Sequence, residues 1–113
     1  DIRQAYLAVR RRLMEGARFT ALFAISDNMA IGAMRALREA GQQIPRDCSV
    51  IAIDGLTVSE YINPTLTTLC QPMEHMGRRS VEILLDMVEH RGGPIRETAH
   101  TTLRTGESVR DIS

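Results

Sequence analysis

The sequence predicts an α/β fold in which a parallel sheet is flanked by helices. Two short apolar runs, residues 21–25 and 49–53, each end close to an aspartate, Asp27 and Asp54. Continuous apolar runs bounded by polar turn residues are typical of parallel strands that are buried on both faces. Between the runs, apolar side chains recur at helical spacing, which predicts a crossover helix. Together these elements predict a right-handed β-α-β unit.

An amphipathic helix is predicted ahead of this unit, over residues 2–16, with Gly16 at its end. Its apolar stripe consists of Ile2, Ala5, Tyr6, Val9 and Leu13. Three consecutive arginines, Arg10–Arg12, lie near the end of the helix. A solvated helix face that complements the helix dipole explains them better than a phosphate site does. They therefore carry no prediction of DNA binding.

A short helical stretch and a third strand are predicted after the β-α-β unit. Residues 59–62 are typical of one or two helical turns, which end at Asn63-Pro64. Residues 66–70 are rich in β-branched side chains and predict the strand.

A long helix and a last strand complete the predicted pattern. The helix begins at Gln71-Pro72, reaches about His90 and ends at Gly92–Pro94. Its broad apolar face is rich in methionine, which indicates core packing more often than an adaptable binding groove. Threonines in residues 98–103 predict the final strand.

Composition limits the class of protein. The chain has 113 residues, enough for one domain but small for a complete doubly wound protein, which indicates part of a larger fold. Fourteen basic residues balance fourteen acidic ones, so no strong nucleic-acid-binding field is expected. Cys48 and Cys70 are predicted to lie roughly 10 Å or more apart along neighbouring strands, too far for a disulfide. No signal peptide or membrane-length apolar stretch is evident, so we expect a soluble cytoplasmic protein with no membrane partner.

Polar residues at the ends of the two central strands are the candidate ligand site. Open α/β sheets bind small molecules at the carboxyl ends of parallel strands. For Asp27, capping of the following helix together with Ser26 or Asn28 competes with a ligand role and is favoured. For Asp54, a simple Asp-Gly turn competes with ligand binding. Ser26, Asp27 and Asp54 carry short polar side chains suited to hydrogen-bonding a neutral polyhydroxylated ligand.

Signals of catalysis are weak, and we expect no enzyme activity, cofactor or metal. The histidines, His75, His90 and His100, have no metal-ligand spacing to one another or to the cysteines, and each is interpreted as a surface residue. The strand ends lack the glycine spacing of a phosphate-binding loop, which argues against nucleotide binding. No serine lies in a nucleophile-elbow motif.

Several motifs together resemble the LacI/GalR family of bacterial transcription regulators. The resemblance extends over nearly the whole chain, and the motifs occur in the family's order and spacing. They are Ile25-Ser26-Asp27-Asn28-Met29-Ala30-Ile31-Gly32-Ala33, Ala36-Leu37-Arg38-Glu39-Ala40-Gly41, Ile44-Pro45, Asp47, Ser49-Val50-Ile51, Asp54-Gly55, Pro64, Leu66-Thr67-Thr68, Gln71-Pro72, Met76-Gly77 and Leu84-Leu85.

This resemblance implies a type I periplasmic-binding-protein fold, with two α/β subdomains around an effector cleft. In the full protein a helix-turn-helix DNA-binding domain would precede it, and neither that domain nor most of the N-terminal subdomain lies within this chain. Residues 1–66 and 98–108 would belong to the C-terminal subdomain. Residues 72–92 would form a helix that packs on the N-terminal subdomain after a crossover at residues 67–71.

The resemblance also implies roles for single residues. Asp54 and Ser26 match effector contacts, Gln71 is a third candidate, and Asp27 is included beside them. Ile31 and Tyr61 match positions in a dimer interface. One departure occurs near the C-terminus, where the family often has arginine, any residue and serine, and this chain has Gly106-Glu107-Ser108.

The leading hypothesis is therefore the effector-sensing and dimerisation module of a transcription regulator that binds a sugar or sugar derivative. Effector binding would alter the closure of the subdomains and hence DNA binding through the missing N-terminal domain. One alternative is a periplasmic sugar-binding receptor of a transporter, which has the same fold. Another is a small unrelated α/β enzyme.

Overall fold

The computed structural model describes residues 1–90, 92–93 and 95–113 of the chain, and it confirms the predicted alternation of helices and strands. The predicted stop at Gly92–Pro94 includes Pro94, which lies outside these residues. In chain order the elements are α1 (Ile2–Met14), β1 (Ala21–Phe23), α2 (Asp27–Glu39), β2 (Ser49–Asp54), a 3₁₀ turn (Thr57–Glu60), β3 (Thr67–Cys70), α3 (Met73–Val88) and β4 (Thr102–Arg104).

The strands form one sheet in the order β1-β2-β3-β4, and β2 pairs in parallel with both β1 and β3. Leu22 lies opposite Val50, and Asp54 lies opposite Cys70. Because the three strands run the same way, β1 and β2 end at the same edge of the sheet. The predicted parallel α/β architecture is confirmed.

The first strand is less buried than predicted. We expected both central strands to be buried on both faces, but Phe23 is 58% exposed and Ile25, just beyond β1, is 68% exposed. The prediction was wrong for β1 because that strand lies at the edge of the described sheet. In β2, Val50 and Ala52 are fully buried while the alternate residues are partly exposed, so the prediction holds for only one face of β2.

Helix α2 covers that face of β2. Its buried residues Ala30, Met34 and Leu37 belong to the same apolar cluster as Val50 and Ala52. Helix α1 in turn packs on α2, as its predicted apolar stripe requires, with Ala5 buried between them. The contact is close at Gly32, since a Cβ there would collide with the backbone carbonyl oxygen of Ile2. These contacts hold α2 between β2 and α1.

The last strand begins later than predicted. Residues 98–101 have no regular secondary structure, and β4 starts at Thr102. A threonine-rich sequence favours extended backbone, but that preference alone does not specify where a strand joins the sheet. Beyond β4, Glu107 donates its backbone N–H to the carbonyl of Thr65, which keeps the C-terminal segment beside β3.

The chain divides into two compact units, residues 1–70 with 103–113, and residues 71–102. The second unit contains α3, and none of the residues of this helix is buried. Its large exposed apolar side chains are Met73, Met76, Val81, Leu84, Leu85, Met87 and Val88. Among the described residues, no helix is long and apolar enough to cross a membrane.

We expect the 113-residue chain to self-associate through α3, because an apolar face of this size rarely stays exposed to water. The expected product is a dimer or a domain-swapped assembly. Sedimentation velocity should show a concentration-dependent shift that the double substitution Leu84→Glu and Leu85→Glu reduces. Arg78→Glu, on the charged side of the helix, should preserve the shift. A monodisperse monomer at high concentration would contradict the prediction.

Candidate functional site

Ser26 lies where β1 leads into α2, and it is the N-cap of that helix. Its backbone is extended, and its Oγ accepts a hydrogen bond from the backbone N–H of Met29 at 3.2 Å. This bond satisfies one of the donors that a helix start leaves without an intrahelical partner. Of the predicted capping by Asp27 with Ser26 or Asn28, the structure confirms Ser26 as the cap and places Asp27 in the first turn of the helix, so the Asp27 side chain is not itself the N-cap.

Asp27 is instead a fully buried carboxylate that joins three elements. Its Oδ2 accepts from the backbone N–H groups of Gly55 and Leu56, at 3.1 and 2.8 Å. Its Oδ1 accepts from the hydroxyl of Thr68 at 2.5 Å. The carboxylate also lies in the first turn of α2, where the helix dipole favours negative charge. Asp27 thus ties the start of α2 to the loop after β2 and to β3.

Asp54 is the last residue of β2, and its backbone conformation is unusual. Its φ of 144° lies in the region that favours glycine, and Gly55 follows with a φ of 82°. Strained backbone at non-glycine residues occurs preferentially at functional sites, where the strain aims a side chain. Asp54 is partly exposed, in contrast to the buried Asp27. This difference favours Asp54 over Asp27 as a group that an external ligand can reach.

Gly55 allows β2 and β3 to approach closely at this end of the sheet. A Cβ at position 55 would lie 2.6 Å from the Sγ of Cys70, well inside van der Waals contact. Cys70 is a free thiol, and so is Cys48, as predicted. Burial raises the pKa of the Cys48 thiol and so favours its neutral form.

We expect Gly55→Ala to destabilise the chain by about 2 kcal/mol or more, because the new methyl group meets both a positive φ and the Cys70 side chain. Gly41→Ala is the matched control, since Gly41 has a φ of 83° and a Cβ added there would have no atom within 4 Å. That substitution should cost only about 1 kcal/mol. Urea denaturation compares the two variants, and equal losses would show that the approach of Cys70 is unimportant.

The structure brings together three of the four residues predicted to bind effector. The hydrogen bond from Gly55 to Asp27 places the Ser26-Asp27 pair beside the end of β2 that carries Asp54. Gln71 begins the second unit, one residue after β3, and its effector contact stays a prediction. The contact roles of Asp54, Ser26 and Asp27 also stay predictions, and the three hydrogen bonds of Asp27 favour a positioning role for it.

The predicted dimer-interface residues differ in exposure. Tyr61, just after the 3₁₀ turn, is 83% exposed, while Ile31 on α2 is partly buried. All three histidines are exposed, as interpreted from the sequence. Within the described residues, no cluster of three His, Cys, Asp or Glu side chains is arranged to hold a metal ion.

Sequence reasoning assigned no role to two residues that hold other parts of the first unit together. Ser108 is fully buried, donates its hydroxyl proton to the carbonyl of Val50 at 2.5 Å, and accepts from the N–H of Thr67 at 2.9 Å. Arg104 on β4 reaches the 3₁₀ turn through its guanidinium group. For Ser108 the sequence held a signal, since this serine is part of the Gly106-Glu107-Ser108 motif. Arg104 was not considered because the last strand was predicted over residues 98–103, which end one residue before it.

Comparison with known proteins identifies the class of domain to which this chain belongs. Residues 1–109 match the family model of the periplasmic binding protein-like domain, which agrees with the parallel sheet and its polar edge. The chain is 38% identical over 108 residues to the HTH-type transcriptional repressor MelR of Bacillus subtilis, covering 96% of this chain and 31% of that protein. It therefore spans about a third of the length of that relative.

Solved structures agree with this assignment. A LacI family transcriptional regulator from Enterococcus faecium with bound ribose matches all of this chain and 42% of its own, with 31% identity and a TM-score of 0.84. The lac repressor dimer bound to operator and the anti-inducer ONPF matches with 30% identity and a TM-score of 0.86, over 93% of this chain and 37% of its own.

The chain belongs to the LacI/GalR family of transcriptional regulators and forms part of its effector-binding domain. The relatives named above are transcription regulators.

Proposed function

We propose that this chain is the effector-sensing and dimerisation module of a DNA-binding transcriptional regulator, and that its effector is a sugar or a sugar derivative. The observation that carries the proposal is the end of β2, where the partly exposed Asp54 is held in a strained backbone conformation beside Ser26. A carboxylate and a hydroxyl are suited to the hydroxyl groups of a neutral sugar. A relative with bound ribose supports the same class of ligand.

The proposed contacts are Asp54 and Ser26, with Gln71 as a third. Asp27 would not contact the effector; it would position Asp54 by accepting hydrogen bonds from the N–H groups of Gly55 and Leu56. We propose that the first unit corresponds largely to the C-terminal subdomain, residues 1–66 and 98–108. Residues 72–92 would pack on an N-terminal subdomain that lies outside this chain.

Dimerisation through Ile31 and Tyr61 is the second half of the proposal. The high exposure of the Tyr61 ring supports it, since an aromatic side chain contributes a large apolar area when a partner covers it. DNA would be contacted only through a domain outside this chain, and the regulator would act in the cytoplasm. The match to transcriptional repressors favours this function over a periplasmic transport receptor.

Calorimetric titration tests the proposed function. We expect the full-length protein to bind at least one member of a panel of D-ribose, D-glucose, lactose and cellobiose. The isolated 113-residue chain should bind the same sugar weakly or not at all, because it supplies only part of the cleft. Tight binding of a monosaccharide by the isolated chain would contradict the proposed division of the site, and a full-length protein that binds no sugar would contradict the ligand class.

A further inference from the structure

Arg104 has no role in the function proposed above, yet it makes several contacts with the segment after β2. Its Nη2 donates to the backbone carbonyl of Leu56 at 3.2 Å and also to the hydroxyl of Ser59. Its Nη1 lies 3.3 Å from the Oε1 of Glu60. The Arg104 side chain is only 27% exposed, whereas the Glu60 side chain is half exposed, so the contacts with Leu56 and Ser59 are the better shielded from water. A planar guanidinium group can make all three contacts at once, which the single ammonium of lysine does poorly.

The segment that Arg104 contacts is also held by Asp27. Asp27 accepts the N–H groups of Gly55 and Leu56, while Arg104 binds the carbonyl of Leu56. Ser59 is fully buried, and its hydroxyl group donates to the carbonyl of Leu56 at 2.6 Å. The backbone carbonyl of Ser59 accepts a hydrogen bond from the N–H of Leu66 at 3.0 Å. Residues 55–60 are therefore fixed by one buried anion and one mostly buried cation.

This segment joins the two proposed functional residues. It begins directly after Asp54, the proposed effector contact, and ends directly before Tyr61, the proposed partner contact. A change in its conformation would move both residues. Its hydrogen bonds to two distant parts of the chain, α2 and β4, restrict such changes.

We propose that Arg104 is a positioning residue that fixes residues 55–60, so that the orientations of Asp54 and Tyr61 depend on each other. The inference rests on the proposed function for its consequences in binding and dimerisation. Its local part, the fixing of the segment, does not depend on any ligand. In this proposal Arg104 acts through the carbonyl of Leu56 and the hydroxyl of Ser59.

Full-length Arg104→Gln, Arg104→Lys and Ser108→Ala variants test the proposal. Ser108→Ala is the matched structural control, since it removes buried hydrogen bonds to Val50 and Thr67 without touching residues 55–60. We expect Arg104→Gln to raise the hydrogen-exchange rates of the Ser59 and Tyr61 amides and to weaken dimerisation about tenfold, as loss of a charge-assisted hydrogen bond would. Arg104→Lys should restore part of the dimer affinity, and Ser108→Ala should leave it unchanged.

The same variants are titrated with D-ribose, D-glucose, lactose and cellobiose. Loss of affinity in Arg104→Gln for a sugar that the wild type binds supports the proposal. If the wild type binds no sugar, the proposed function fails, while amide exchange still reports on Arg104. Unchanged exchange at Ser59 and Tyr61 in Arg104→Gln overturns the positioning role. An equal loss of dimer affinity in Ser108→Ala overturns it as well, because the effect would then be one of general stability.

Discussion

Replacing Asp27 with alanine should destabilise the chain by about 3 kcal/mol or more. The substitution removes the carboxylate that accepts from the N–H groups of Gly55 and Leu56 and from the hydroxyl of Thr68. Leaving a buried donor without a partner costs about 1–3 kcal/mol. The Thr68 hydroxyl is fully buried, and the N–H groups of Gly55 and Leu56 are partly buried, so water that reaches them reduces their share of the total. Urea denaturation followed by circular dichroism measures the loss.

Asp111→Ala is the control for this experiment. Asp111 accepts two hydrogen bonds from Ser113, but it lies at the exposed C-terminal end of the chain. Its removal should change the free energy of unfolding by less than about 0.5 kcal/mol. If Asp27→Ala were no more destabilising than Asp111→Ala, the buried carboxylate would not hold the loop after β2.

Replacing Asp54 with alanine should lower effector affinity of the full-length protein about 10- to 100-fold, because a charge-assisted hydrogen bond to a ligand contributes about 1.5–3 kcal/mol. Asp54→Gly should lose the same affinity. It should nevertheless be more stable than Asp54→Ala, since glycine adopts the φ of 144° at position 54 without strain. Calorimetry gives the affinity and urea denaturation gives the stability.

The pair of Asp54 variants separates ligand binding from folding. Loss of affinity in both variants, with the glycine variant the more stable, fits a strained residue that contacts the effector. Retained affinity in either variant would remove Asp54 from the site. An alanine variant as stable as the glycine variant would show that the backbone at position 54 stores no appreciable strain.

The sequence was sufficient to predict the fold class and the sheet edge at which Asp54 and Ser26 lie. Its two apolar runs and the helical spacing between them predicted a parallel sheet, and a parallel sheet places Asp54 near Ser26. The exposure of Phe23 could not be predicted in the same way. An apolar run has the same pattern whether it forms a central strand or an edge strand, and only the position in the sheet decides its burial.

The role of Asp27 depended on contacts far away in the chain. Serine and aspartate are both good N-cap residues, so local propensity does not choose between Ser26 and Asp27. The choice follows from donors at Gly55, Leu56 and Thr68, which the fold brings to the Asp27 carboxylate. Arg104 was missed for a similar reason, because its partners come together only once β4 joins the sheet.

The most direct test of the proposed function couples effector binding to DNA binding. Fluorescence anisotropy would follow binding of the full-length protein to a DNA duplex that it selects in vitro, with and without the panel sugar that binds best. We expect the sugar to change the dissociation constant for DNA about 5- to 150-fold in the wild type, and to change it far less in Asp54→Ala. A dissociation constant that no sugar alters, or that shifts equally in Asp54→Ala, would contradict the proposal that this chain senses an effector through Asp54.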